Sequence, residues 1–289
     1  MCRKYGFSRL ILASLHLQGL AVCLFVVIFL TPPLWAQQTG AIPGWPKRSS
    51  GSDHATPDPV APLPPNIPDR DESCLLWTVT PVPAPTISAA ALQVPGKARG
   101  EFKKGCSDLK SKKFGDAENH LRKALDEYRQ YAAAWVLLGQ VLEAGNRVAE
   151  ARTACSQASI VDPDYAQAYL CLADVAGRLR KWQEALDEAE RALALDPRRN
   201  AYGYLYSSMA HFYLAQLPDA EKNALNAIDA DQLHRVPQAH LLLAHIYTTN
   251  HDLPAAAAQL RAYLKIVPNA PNSAGVKKTL AELESEIAK

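Results

Sequence analysis

From about residue 98 onward the chain runs in stretches whose apolar residues fall three and four apart, separated by short polar breaks. Trp135, Leu138, Gly139 and Leu142 make one such stripe, and Tyr169, Leu172, Ala173 and Ala176 make another. That spacing places the apolar side chains on one face of an α-helix. Small residues recur within the stripes in fixed columns. The first column runs Gly105, Gly139, Ala173, Ser208 and Ala244; the second runs Ala117, Ala151, Ala185, Ala220 and Ala256. A third runs Ala124, Ala158, Ala192, Ala227 and Tyr263, and the steps in all three are 34, 34, 35 and 36 residues. Helices approach closely only where side chains are small, so the columns mark crossing points within and between paired helices. Pro163, Pro197 and Pro268 stand five residues after the third column, where a ring without an N–H ends a helix. Arg129 and Gln232 take that place in the first and fourth units.

These columns resemble those of the tetratricopeptide repeat (TPR) family, whose tryptophan, leucine, glycine, tyrosine, alanine and proline positions are matched best by Trp135, Leu138, Gly139, Ala151, Ala158 and Pro163. The resemblance covers residues 98–270 as five units, 98–131, 132–165, 166–200, 201–236 and 237–270. It implies an all-α fold, a right-handed superhelical solenoid of helix-turn-helix hairpins. After the last unit, residues 271–289 read as a C-terminal capping helix with Ser273 as its cap. Val276, Leu280, Leu283 and Ile287 form its apolar stripe, and Lys277, Lys278, Glu282, Glu284 and Glu286 form its solvated side. The same stripe would also serve a dimer.

The first 36 residues read as a targeting segment. Arg3, Lys4 and Arg9 precede an uninterrupted apolar stretch from Gly19 to Leu30, which is short for a spanning helix of ~20 residues and suits a signal-peptide core of ~7–15. Pro32 and Pro33 break it, and Leu34, Trp35 and Ala36 offer a cleavage site before Gln37. A cleaved signal peptide and an uncleaved membrane anchor reaching back to Leu10 both stand, and either would put the repeats outside the cytoplasm. Residues 37–96 hold most of the prolines, among them Pro57, Pro59, Pro62, Pro64, Pro65 and Pro68, and read as an extended linker. Inside it, Cys74, Leu75, Leu76 and Trp77 open an apolar run that continues through Val79, Val82, Ile87, Leu92 and Val94. That run is either a strip docked on the first hairpin or a disordered, adhesive linker.

A formal net charge of +2 over 289 residues gives no field that would draw nucleic acid. One basic patch stands out, with Lys97, Arg99, Lys103, Lys104, Lys110, Lys112 and Lys113 set against Glu101 and Asp108. It reads as the solvated outer face of a terminal helix, with contact to anionic lipid or an acidic partner as the other use. Phosphate-loop, nucleophile-elbow, zinc-protease and dinucleotide motifs are all missing from the sequence. No enzyme activity, cofactor or small-molecule substrate is therefore expected. His211, His234, His240, His245 and His251 gather in the last two units, yet His240 and His245 are five apart and diverge on a helix. Cys155 and Cys171 fall on neighbouring helices, as either buried thiols or a disulfide, and Cys74 with Cys106 pose the same choice. A metal or redox protein built on these residues is one alternative reading, and a pure structural spacer is another.

In TPR arrays the first helix of each hairpin lines a concave face, so the resemblance implies a groove along those helices. Its candidate partner-binding residues are Phe102 in the first unit, Val136 and Gln140 in the second, and Leu170 and Asp174 in the third. The fourth contributes Tyr202, Leu205, Met209, Phe212 and Tyr213, and the fifth Leu241 and His245. Glu143 and Arg178 continue the same face, while Tyr204 and Tyr206 read as packing residues. Tyr202, Met209, Phe212 and Tyr213 would be the main contact, because aromatic anchors dominate binding energies. The lysine and asparagine columns with which some TPR domains clamp a chaperone's C-terminal carboxylate are replaced here by Phe102, Val136 and Leu170 and by Cys106, Gln140 and Asp174. The expectation is a non-catalytic scaffold that holds a protein or peptide segment in an apolar groove. The resemblance runs closest to exported cell-envelope TPR proteins of bacteria.

Overall fold

The structure is a computed structural model and describes residues 93–198 and 200–289. The expected targeting segment, residues 1–36, and nearly all of the expected linker, residues 37–96, lie outside the described residues, as does Cys74. Eleven helices and no strand make up the described part: α1 (Gly96–Lys110), α2 (Phe114–Glu127), α3 (Ala132–Ala144), α4 (Val148–Val161), α5 (Ala166–Arg178), α6 (Trp182–Leu195), α7 (Ala201–Tyr213), α8 (Leu217–Ala230), α9 (Gln238–Thr249), α10 (Leu253–Ile266) and α11 (Ser273–Ile287). Each odd-numbered helix up to α9 packs on the next to form a hairpin, and each hairpin packs on its successor. In addition α3 touches α5, α5 touches α7, and α7 touches α9. From α3 to α9 the first helices therefore stand side by side, as expected of an all-α solenoid.

The small columns are where the hairpins close. A methyl group placed on Gly105 would lie 3.3 Å from the Ala117 carbonyl oxygen, and one on Gly139 would lie 3.4 Å from that of Ala151. In the fourth hairpin the Ser208 hydroxyl donates to the Ala220 carbonyl at 2.6 Å. Column one thus rests against the backbone of column two, where a longer side chain would separate the helices.

The turn inside each hairpin repeats as faithfully. Lys112, Asn146, Arg180, Ala215 and His251 all have φ between 57° and 63°, and none is glycine. The residue after each donates back to the first helix, as Lys113 to Asp108, Arg147 to Leu142 and Lys181 to Ala176, at 2.8–2.9 Å. This is the left-handed helix stop that satisfies the last carbonyls of the first helix. The junctions between hairpins use side chains instead. Trp135 Nε1 donates to the Arg129 carbonyl, and the Tyr169 and Tyr204 hydroxyls donate to the carbonyls of Pro163 and Pro197, all within 2.8–2.9 Å. Asn200 both caps α7, accepting from Gly203 N–H, and donates to the Ala192 carbonyl. In the fourth junction Gln232 takes the column's proline place, and there the buried Asp231 carboxylate accepts from the Arg235 and Val236 N–H groups.

At the C-terminus, Val276 and Leu283 bury against a cluster that includes Leu260 and Tyr263, with Leu280 packed beside them. The apolar stripe stops there, since Ile287 is 44% exposed. Ser273 is the first residue of α11 rather than its cap, and its hydroxyl donates to the Val267 carbonyl at 3.1 Å.

Cys155 on α4 and Cys171 on α5 form a disulfide that joins the second and third hairpins across a Cα–Cα distance of 5.6 Å. It passes over Gly139, where an added Cβ would meet the two Sγ atoms at 2.7 and 3.0 Å. The glycine of the second hairpin makes room for the bridge as well as for α4. Cys106 on α1 is also in a disulfide.

Two outcomes are expected in equilibrium urea unfolding. Replacing Ala215, held at φ 63°, with glycine raises stability by about 0.5–1 kcal/mol, because strain relief exceeds the added freedom of the unfolded chain. Gly139→Ala costs about 1–3 kcal/mol in the oxidised protein by overpacking. In a Cys155→Ala/Cys171→Ala background the same change is close to neutral, so the two sites couple in a double-mutant cycle. Equal costs in both backgrounds would remove the bridge as the reason for glycine at 139.

Candidate functional site

The five first helices present one shared face, and its residues fall into three groups. In the first, Val136, Gln140, Leu170, Tyr202, Leu205, Phe212 and Leu241 are all buried. Phe102, Asp174, Met209, Tyr213 and His245 are half-buried and form the accessible remainder. Of the four aromatic and methionine residues expected to make the main contact, Tyr202 and Phe212 thus lie inside the packing. The Tyr202 hydroxyl reaches the Arg235 carbonyl at 3.4 Å, and burial pushes its pKa upward.

The second group is a run of stacked side chains. Tyr213 lies flat on Trp182, ring centroids 3.9 Å apart and planes 10° from parallel. Phe212 meets Tyr213 edge-on at 5.4 Å, and the His245 ring tilts against Phe212 at 4.8 Å. Met209 reaches Gly177, where an added Cβ would stand 3.3 Å from Cε and 3.6 Å from Trp182. Met209, Phe212, Tyr213 and His245 therefore come together, and Phe102 stands apart, tilted on Tyr131 at 4.9 Å. Trp182 escaped the sequence reading because it begins a second helix. A fourth column would have found it, since Phe114, Val148, Trp182, Leu217 and Leu253 repeat with the same steps of 34, 34, 35 and 36.

The third group is polar. Arg178 pairs with Glu143 across α5 and α3, and Glu143 is 3% exposed. Burial, reinforced by the nearby Asp174 carboxylate and opposed by Arg178, pushes the Glu143 carboxyl up to about 9. Burial also raises Asp174, which hydrogen-bonds Glu143 and Tyr206. Two carboxyls in contact beside one guanidinium cannot both ionise cheaply, so the cluster holds a proton at neutral pH. One turn before Glu143, the Gln140 amide oxygen and nitrogen are both shielded from solvent, and neither finds a partner among the described residues.

Elsewhere the charges are ordinary. In the basic patch Lys97 pairs with Glu127 at 2.5 Å and Lys104 with Glu101 at 2.7 Å, while Lys103, Lys112 and Lys113 are exposed. His211 bonds Gln216 and His240 bonds Gln259, at 2.6 and 2.7 Å. Among the described residues no three His, Cys, Asp or Glu side chains are grouped as metal ligands, and no helix is long and apolar enough to cross a membrane.

A row of hairpins in which each contacts its neighbours and shares a first-helix face is the architecture of helical-repeat solenoids. Two family profiles, both described as tetratricopeptide repeat, match residues 108–175 and 207–271. The chain is a tetratricopeptide-repeat protein. Among solved structures it is similar to a thermophilic TPR protein of Thermus thermophilus, at 19% identity and a TM-score of 0.55, covering 64% of this chain and 98% of that one. It is similar to PilW, described as a widely conserved type IV pilus biogenesis factor, at 18% identity and a TM-score of 0.57, covering 67% and 93%. PilF of Pseudomonas aeruginosa matches at 17% identity and a TM-score of 0.52, covering 64% and 82%. These likenesses are of fold. No curated protein matches the sequence.

The buried carboxyl sets a pH dependence of stability. A carboxyl whose folded pKa is raised stabilises fully below its unfolded value, and that contribution is lost as pH rises through the folded value. From an ordinary 4.5 to about 9 for Glu143, stability therefore falls with rising pH. Glu143→Gln keeps the neutral shape and removes the titrating proton, so thermal unfolding of the variant loses less stability between pH 6 and 9, by up to about 4 kcal/mol. Parallel pH profiles for variant and wild type would show that Glu143 ionises normally.

Proposed function

We propose that this TPR protein is a non-catalytic scaffold outside the cytoplasm, which holds a protein or peptide segment along the face of its first helices. The observation that carries the reading is the row of touching first helices α3, α5, α7 and α9, whose accessible residues converge at the fourth and fifth hairpins. Met209, Tyr213 and His245 sit there around buried Phe212 and stacked Trp182. A rigid aromatic and thioether surface anchors apolar side chains without losing much of its own conformational freedom. Leu205, Leu241 and Val136 support that face from beneath and are not themselves contacts.

Export is supported by the charged start, the apolar core and the Leu34-Trp35-Ala36 site of the first 36 residues. The Cys155–Cys171 bridge agrees with it, because such bonds persist in oxidising compartments. The bacterial cell envelope, with association to a membrane through an uncleaved leader or partners, is the place that fits both. Nucleic acid is not part of the reading, since the basic patch is partly paired with Glu101 and Glu127.

A photo-crosslinking side chain placed at 209 or 245 in cells tests the contact, with exposed Ile160 on α4 as the control position. The same protein partner should be captured from 209 and 245 and not from 160. Capture from 160 alone would move the interaction off the first-helix face.

A further inference from the structure

We propose that the α1 and α3 end of the first-helix face is occupied by the protein's own apolar strip, residues 75–92, tethered by a disulfide between Cys74 and Cys106. This inference rests on the reading of that face as a binding groove and names its resident occupant. Cys106 is in a disulfide, and Cys155 and Cys171 are bonded to each other. The partner of Cys106 is therefore Cys2, Cys23 or Cys74, all upstream of the described residues. With the leader cleaved after Ala36, only Cys74 of the three remains. Closing the bond takes two protons and two electrons from the thiols, which a disulfide-exchange oxidant of the exporting compartment accepts.

The position of Cys106 gives the tether its meaning. Cys106, Gln140, Asp174, Met209 and His245 share one register, with steps of 34, 34, 35 and 36, beside the first small column. A bond at Cys106 delivers chain to the head of that column. From there 19 residues lead to Gln93, where the described chain begins; extended, they reach ~60 Å, enough to run along two neighbouring helices ~10 Å apart and return. The strip has the chemistry for the path. By composition, Pro81, Pro83 and Pro85 favour an extended chain with carbonyls free to bond, and Leu75, Leu76, Trp77, Val79 and Ile87 would supply apolar contacts. Gln140 asks for such a neighbour, because its buried amide has neither donor nor acceptor partner among the described residues, and a peptide group provides both.

The test uses the full chain expressed with its leader and alkylated before lysis. Trypsin without reductant should release residues 71–97 linked to 105–110, a species that disappears on reduction. Amide hydrogen exchange over 75–92 should be at least about tenfold slower in the oxidised protein than in the Cys74→Ser variant. A benzoylphenylalanine replacing Phe102, half-buried on α1, should crosslink to 71–97 within the same chain. An alkylated Cys74 would overturn the proposal. A bond present with unprotected amides would overturn it too and leave the groove reading intact. A crosslink from position 102 to a separate protein in place of 71–97 would assign the face to a partner alone.

Discussion

Everything in this array depends on two helices being allowed to touch. Where Gly105 meets the Ala117 carbonyl and Gly139 meets that of Ala151, backbone lies against backbone with no side chain between. Dispersion falls steeply with separation, so an extra ångström at these crossings would weaken every contact along the hairpin. Close crossings also set what lies further out. Column three buries between hairpins, the aromatic donors Trp135, Tyr169 and Tyr204 then reach the loop carbonyls, and the first helices line up as one face. Ser208 shows how the rule bends, since its hydroxyl fits the crossing by bonding the carbonyl it would otherwise crowd.

Periodicity made the helices, their pairing and the TPR family legible, because close packing leaves a strict trace in residue size. The turns left no such trace. Lys112, Asn146, Arg180, Ala215 and His251 share a left-handed conformation yet no side-chain property, since the backbone bonds around them hold it whatever the residue. The face of the first helices was legible in outline only. Register told which residues point that way, but burial depends on neighbours that a single strand of text does not place. Tyr202 and Phe212 thus proved to be interior, and Trp182, on a second helix, completed the stack. Ile287 likewise continues the stripe of α11 without anything to bury against.

Polar residues tell the opposite story. Gln140, Glu143, Asp174 and Arg178 interrupt an apolar face, which composition alone would count as harmless surface. In the fold two acids, one guanidinium and the Tyr206 hydroxyl assemble across three helices. Removing any one member of such a cluster leaves the others unbalanced in a poorly solvated place, so it couples the placement of the second, third and fourth hairpins. Ion cluster and disulfide act on the same stretch, the second and third hairpins.

A linear array crosslinked at one joint is no longer a uniform spring. Pulled from its ends, a repeat protein gives up one hairpin after another, and each adds its contour to the extended chain. The 16-residue span between Cys155 and Cys171 cannot be drawn out, which shortens the final extension by about 50 Å. It also keeps Cys155 and Cys171 5.6 Å apart after their neighbours have gone, so the chains of the second and third hairpins stay close while they re-form. For a protein stationed where shear or assembly forces act, the array would stretch from its extremities and keep its middle.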